Sequence, residues 1–482
     1  MTLVLSAVGL TYEIAAGRVL APFFGTSLLT WTSVIATVLG GFSLGNAIGG
    51  FVAERPRAVA VGRVRGALVA TAVLMAVTPT LLGLLHDMGM RGTGGMFVTV
   101  ILVFFPPSVF VTLPSPFLAK AAIEARPGRE GSSLGIVLAA GSVGAIFGAI
   151  LAGFVALPLV GATATFAACG VAALLCVPFV RNRPTGDKTS ENPGPTSTVT
   201  FGAAIFVAFA GLAGKPACQY ESGLSCLHIV EQGPEIRLFS DGTTQAAELT
   251  NTDDEAPAQD LALPYTQWMW SRLQHDLGPA PKVLFVGGGG YTLPTELLSA
   301  DPDAQAIAVE IDPLVTQVVE KHLPRAAAVI ARTAYDPASG APKETERLGL
   351  VHADGRVYLN ETAHRFDAAV MDAFSSGSVP AHLVTLETYR RLREIVDGPV
   401  YVNLIDRQDG PLARGVHAIL REVYPHVIAV QGPVSERGRA NILMAASDTP
   451  IEPLEALPED YELTQISDSR PFTDDRGWVG HR

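Results

Sequence analysis

Cysteine is scarce in this chain: the 482 residues hold only Cys169, Cys176, Cys218 and Cys226, with no CxxC pair and no histidine at metal-ligand spacing. No zinc site or other metal site is therefore expected. Cys169 and Cys176 fall inside an apolar run and read as packing residues. Cys218 and Cys226 suit either a disulfide in an oxidising compartment or two thiols in a reduced one. Charge is also sparse, at 17% of residues, and the mean hydropathy of +0.32 is high for a soluble protein. Basic residues run short in the second half: 22 Lys and Arg against 39 Asp and Glu from Lys215 onward, compared with 12 against 7 before it. An acidic domain does not bind nucleic acid through basic patches facing phosphates, and it suits a cationic ligand such as a polyamine, although many soluble domains are acidic without one. No P-loop lysine follows the glycine row 287–290, so ATP hydrolysis is not expected.

The first half has long apolar runs in place of charge. Stretches of bilayer-spanning length lie near 3–23, 31–53, 66–86, 96–119, 133–158 and 162–180. They predict a multi-pass α-helical membrane domain over 1–180, with the first run a retained span and the lipid bilayer a partner. Residues 181–214 read as a polar, Pro- and Ser-rich linker followed by a seventh apolar run, 200–214, at the lower limit for crossing. Basic residues gather between spans two and three (Arg55, Arg57, Arg63, Arg65), between four and five (Lys120, Arg126, Arg129) and after span six (Arg181, Arg183, Lys188). Those loops are cytoplasmic by the positive-inside rule. With six spans the C-terminal domain is cytoplasmic too; a seventh crossing would put it outside. The charge rule leaves both open, and the expectation of six, with a cytoplasmic catalytic domain at the cell membrane, rests on where a nucleoside cofactor is found. Gly41, Gly45 and Gly49 in span two, and Gly144, Gly148 and Ala152 in span five, let helices approach closely, or mark an internal repeat of two groups of three. Glu13 in span one suits a buried polar bond, with Arg18 or another group, or a cation held in a cavity.

The second half carries the chemistry. Lys282 to Gly287 reads as a buried parallel strand running into the glycine loop Gly287–Gly290 and then a helix near Leu293. A second strand, 304–309, ends at Glu310, placed to accept hydrogen bonds from ribose hydroxyls; a third ends in Asp354-Gly355 and a fourth, 366–371, in Asp372. Strand ends in an open α/β sheet converge on one crevice, so Gly287, Gly289, Glu310, Asp354, Gly355 and Asp372 are expected to share a site. The glycine row lacks the third glycine of a dinucleotide fingerprint and better suits an adenosyl sulfonium compound. The fold expected for 271–482 is α/β, Rossmann-like of the class I methyltransferase type, preceded by a small β-subdomain over 215–270.

Val283 to Leu293, Val309 to Pro313, Ala353 to Arg356, Met371 to Ser375, Pro380 to Thr385 and Pro471 to Asp475 together resemble the membrane-fused spermidine synthase-like proteins, relatives of the polyamine aminopropyltransferases. The glycine-rich spans match as well, so the resemblance covers nearly the whole chain. It implies a transferase that moves an aminopropyl group from decarboxylated S-adenosylmethionine to an amine. Glu310 would bind the ribose, Asp354 the adenine amino group, and Asp372 would be the catalytic base, with Tyr265 and Ser375 in the acceptor site. No cofactor is held permanently. Soluble relatives commonly dimerise, so a homodimer is among the implied partners.

The sequence departs from that family where a diamine would be held. Gly290 and Ser375 each stand where soluble relatives carry an Asp, Leu224-Ser225 where they carry Tyr-Gln, and Tyr265-Thr266-Gln267 where they carry Tyr-His-Glu. Each desolvated ammonium would then lack a counter-charge, weakening diamine binding. Two alternatives follow: a methyltransferase using S-adenosylmethionine, whose carboxylate would occupy the space left by the loop Asp, or a non-catalytic membrane transporter or sensor carrying a degenerate nucleoside site.

Overall fold

The computed structural model describes residues 1–24, 28–90, 92–181, 199–200, 202–207, 218–222, 224–250, 261–340, 342–343, 345–373, 380–407, 409–436 and 438–476. The chain divides into two compact units, Met1–Cys226 and Leu227–Arg482. The division falls later than the boundary at 215 expected from the sequence. The polar linker, most of 200–214, and Ser375 lie outside the described residues.

The first unit is helical. Its helices are α1 (Thr2–Phe24), α2 (Leu28–Ala53), α3 (Arg57–Asp87), α4 (Gly92–Thr112), α5 (Pro114–Glu124), α6 (Glu130–Leu151) and α7 (Leu157–Cys176), the last two joined by a π-helical turn, Ala152–Ala156. Five stretches among the described residues are long and apolar enough to cross a membrane. One of them, Glu130–Phe179, has 50 residues. A straight helix of that length would reach about 75 Å, far more than a bilayer needs. Gly161, at φ 75° and ψ 175°, breaks it into two apolar helical segments, close to the runs 133–158 and 162–180 read from the sequence. Phe154, Leu159 and Phe179 lie outward and exposed, and only 28% of the apolar window in Leu29–Ala53 is buried. Such a surface suits lipid and not water.

The glycines mark close approaches. A Cβ on Gly144 or Gly148 would run into the Leu3 or Ala7 carbonyl of α1, and one on Gly45 or Gly49 into the Val109 carbonyl of α4 or the Leu113 carbonyl just after it. The matched positions rise together in both cases, so α1 runs parallel to α6, and α2 to α4. In α3 and α7 they run opposed, from Arg65 against Val180 to Ala72 against Gly170. Counting α4 with α5 as the fourth span, span two meets four, span five meets one, and span three meets six. Two triples of opposite direction, each packing in the same way on the other, would give that pattern, and the glycine spacing serves close helix packing in both pairs.

The second unit begins one residue into a β-meander of β1 (Cys226–Gln232), β2 (Glu235–Ser240) and β3 (Thr243–Leu249), antiparallel throughout, with a bulge between Leu238 and Phe239. Then comes a sheet built from β4 (Lys282–Val286), β5 (Gln305–Glu310), β6 (Ala334–Tyr335), β7 (Leu348–His352), β8 (Ala368–Met371), β9 (Val400–Asp406), β10 (His426–Gln431), β11 (Ala440–Ser447) and β12 (Glu462–Leu463). Its order is β12-β10-β11-β9-β8-β4-β5-β7-β6, parallel from β9 to β6 and antiparallel at β11 and β10. The chain winds outward on both sides of β4, so the gap between β4 and β8 is the switch point where such sheets bind ligands. Val283 to Val286 and Ala368 to Met371 are buried on both faces, as the continuous apolar runs predict for central parallel strands. The fourth strand starts at Ala368, later than the 366 expected, and Phe366 makes only an isolated bridge to Val396.

Candidate active site

The loop after β4 turns sharply because glycine permits it. Gly287 holds φ 104°, its N–H donates to the Val309 carbonyl at 2.9 Å, and a Cβ there would lie 2.5 Å from the Asp372 carbonyl oxygen. Gly289 also has positive φ, at 49°. The loop is clasped by Glu310 at the end of β5, whose Oε2 accepts from the amides of Gly288 (2.9 Å) and Gly289 (3.3 Å), while Oε1 accepts from the Asp312 amide at 2.9 Å. Burial pushes the Glu310 carboxyl up, and the three amide donors oppose that shift. Glu310 is thus part of the loop's architecture.

Asp354 ends the strand two places from β4 in the sheet and caps the helix Gly355–Glu361. Its Oδ1 accepts from the amides of Arg356 (2.8 Å) and Val357 (3.2 Å), and its Oδ2 pairs with His382 Nε2 at 2.9 Å. Gly355 packs so tightly on β4 that a Cβ would lie 2.7 Å from Val286 Cγ1. The closing motif braces this helix: Arg356 Nη2 bonds Asp474 Oδ2 at 3.1 Å, and the Leu386 amide donates to the Phe472 carbonyl at 2.8 Å.

Asp372 follows β8 and opens onto a cavity of about 240 Å³. Asn403 Nδ2, from the middle of β9, donates to its Oδ1 at 2.8 Å, and the Tyr265 hydroxyl to its Oδ2 at 3.2 Å. Asn441 Nδ2, from β11, in turn donates to Asn403 Oδ1 at 2.8 Å and fixes that amide's orientation. Burial pushes the Asp372 carboxyl from the ordinary 3.8 up to about 6, against the lowering effect of both donors. Burial, reinforced by the neighbouring Asp372 carboxylate, lifts the Tyr265 phenol well above its ordinary value, so it stays a donor. The cavity wall adds Thr243, Thr244 and Gln245 from the β-meander and Gly289 from the glycine loop.

Of the expected site residues, Gly289, Tyr265 and Asp372 line the cavity, whereas Gly287, Glu310, Asp354 and Gly355 stand at neighbouring strand ends and are not in its wall. Asn403 and Asn441 were not foreseen. Their signal was a polar residue inside an apolar strand, in Val400 to Leu404 and again in Ala440 to Leu443. His382 was present in a recognised motif without a role, and the structure gives it one beside Asp354.

A family model described as spermine/spermidine synthase domain matches residues 273–402. A polyamine aminopropyltransferase of Korarchaeum cryptofilum is 30% identical over 122 residues, 25% of this chain and 34% of that protein. One from Vibrio vulnificus is 24% identical over 173 residues, 35% and 52% of the two chains. The chain is spermidine synthase-like. The family model lies wholly within the second unit, narrower than the near whole-chain resemblance expected from the sequence. The chain spans between about a third and about half the length of these two relatives. Among solved structures, a probable spermidine synthase from Corynebacterium glutamicum aligns with 16% identity and a TM-score of 0.41, over 52% of this chain and 92% of that one.

Proposed function

We propose that the spermidine synthase-like unit transfers the aminopropyl group of decarboxylated S-adenosylmethionine to an amine, with Asp372 as base. The reading is carried by Asp372 itself: a desolvated carboxylate, held at both oxygens by neutral donors, at the switch point and facing a cavity bounded by the glycine loop. In the reaction the acceptor nitrogen bonds to the carbon next to the sulfonium, the carbon–sulfur pair returns to sulfur, and a neutral thioether nucleoside leaves. A free amine with a pKa near 10.4 arrives protonated at neutral pH, so a proton must be removed for attack. A carboxyl with a pKa of about 6 is ionised at pH 7 and accepts that proton more readily than an ordinary aspartate. Glu310 and the loop amides suit the ribose, and Asp354 with His382 the adenine edge.

The argument for a methyl donor loses ground in this structure. It relied on space freed at Gly290, yet a Cβ there would collide with Ala246 of β3 and lie 3.4 Å from Leu323 Cδ1. The β-meander already fills that space.

Calorimetry on the detergent-purified chain tests the reading. Binding of decarboxylated S-adenosylmethionine, with weaker binding of S-adenosylmethionine and loss of both in Glu310→Ala, is the expected result. Preference for S-adenosylmethionine would replace the reading with methyl transfer, and binding of neither would leave the sheet without a donor.

A further inference from the structure

We infer that the chain crosses the membrane a seventh time between Val180 and Glu221, and that the spermidine synthase-like unit emerges on the face opposite the basic loops, outside the cytoplasm. The inference goes beyond the proposed reaction and uses contacts within the helical unit alone.

Three ties collect the basic segments at one end of that unit. Lys120 Nζ donates to the Ala53 carbonyl at 2.8 Å, Arg57 pairs with Glu124 at 3.5 Å, and Arg65 Nε donates to the Val180 carbonyl at 2.8 Å. Leu5, Val52, Val61, Leu113, Cys176 and Val180 pack together there, which puts the start of α1 at the same end. By the positive-inside rule it is cytoplasmic. The other end holds the last turns of α1 and α3, where Phe23 packs on His86 at 5.1 Å, and the break at Gly161.

The segment just before the second unit is fastened to that other end. Glu221 Oε1 accepts from the Ala162 amide at 2.9 Å, capping the helix that restarts after Gly161. Arg18, thirteen residues along α1 from Leu5, donates from Nε to the Ser222 carbonyl at 3.1 Å and from Nη1 to the Leu224 carbonyl at 3.3 Å. Val180 and Glu221 therefore lie at opposite ends of the bundle, and whatever path joins them runs its full length. The described part of that path is helical at 202–207 and climbs α7: Ala203 packs with Ala173 and Leu174, and Val207 lies against Gly170. Ile205 and Phe206 point outward, exposed and apolar.

Chemistry supplies a second, independent observation. Cys218 and Cys226 are joined as a disulfide within this anchored segment, while Cys169 and Cys176 remain free and buried. A disulfide persists in oxidising compartments and is reduced in the cytosol. This orientation is the opposite of the one first expected, which followed the cytoplasmic nucleoside pool; a donor made there would have to reach the far face.

Labelling of substituted cysteines in the full-length chain tests it. Lys343→Cys, at an exposed surface of the second unit, should react with a membrane-impermeant maleimide in intact cells as fully as after lysis. Pro127→Cys, at the basic end, should react only after lysis. Any other pattern overturns the orientation. Alkylation of the chain taken directly from membranes should leave Cys218 and Cys226 unmodified until a reductant is added, and free thiols there would overturn the oxidising location. Donor binding is measured in detergent, where sidedness plays no part, so failure of the orientation and failure of the proposed reaction are told apart.

Discussion

At the scale of single residues, Asp372 gathers most of the chemistry. Its pKa is raised on folding, so between about pH 4 and about 6 the folded chain holds a proton that the unfolded chain has released. Stability from this group is present below about pH 4, falls as pH rises through that window, and stays lost above it. The difference corresponds to at most about 3 kcal/mol. Asp372→Asn should therefore raise the melting temperature relative to wild type more at pH 8 than at pH 4, while abolishing transfer and sparing donor binding; an equal shift at both pH values would refute the burial argument. Release of the thioether nucleoside should show an acid limb near pH 6. Asn403→Leu removes a donor that holds the carboxyl down, so that limb should move to higher pH, and a limb that stays in place would mean another group titrates. The aspartate at the end of a strand was readable from sequence because strand ends in such sheets carry ligands. The asparagine pair was not, because only the register of β9 against β11, which sets Asn403 across from Leu443 and beside Asn441, brings the two amides together.

At the scale of elements, two contacts separate binding from architecture. Asp354 is both a helix cap and a candidate adenine contact, and the two roles part under substitution. Asp354→Asn keeps a side-chain oxygen for the amides of Arg356 and Val357, whereas Asp354→Ala loses the cap at a cost of about 1 kcal/mol. A binding role predicts weaker donor affinity in both variants; a capping role alone predicts that only Asp354→Ala is affected, which thermal melts alongside calorimetry would distinguish. The second contact is Gly290 under Ala246. Gly290→Ala should destabilise the docking of the β-meander by roughly 1–3 kcal/mol, as overpacking does, and Ala246→Gly should recover the loss. Lack of rescue would mean the glycine is needed for its backbone alone. Sequence showed that an acidic side chain is missing at this position but gave the space to a ligand. The space belongs to another element of the same chain, and that packing is long-range information which no local pattern contains.

At the scale of the whole molecule, hydropathy located the long apolar helices to within a few residues, because a run of bilayer-spanning length is visible independently of tertiary detail. Hydropathy does not decide the proposed seventh crossing, where the apolar run is short and the inference rests on where Glu221 and Arg18 bond. The glycine periodicity was visible from the start, and the partners were not: span two could have met any neighbour. Gly45 meets α4 and Gly148 meets α1, each against a backbone carbonyl. Both should resist enlargement alike. Gly45→Leu and Gly148→Leu are each expected to lower the thermal midpoint of the helical unit, while Gly62→Leu and Gly153→Leu, which have nothing within 4 Å, should leave it unchanged or raise it through better helix propensity. Donor affinity in detergent should stay constant across all four, since the family match and every residue assigned to the site lie in the second unit. A fall in donor affinity that follows the helical midpoint would show that the membrane half shapes the nucleoside site, and that the two units act as one machine and not as an enzyme tethered to an anchor.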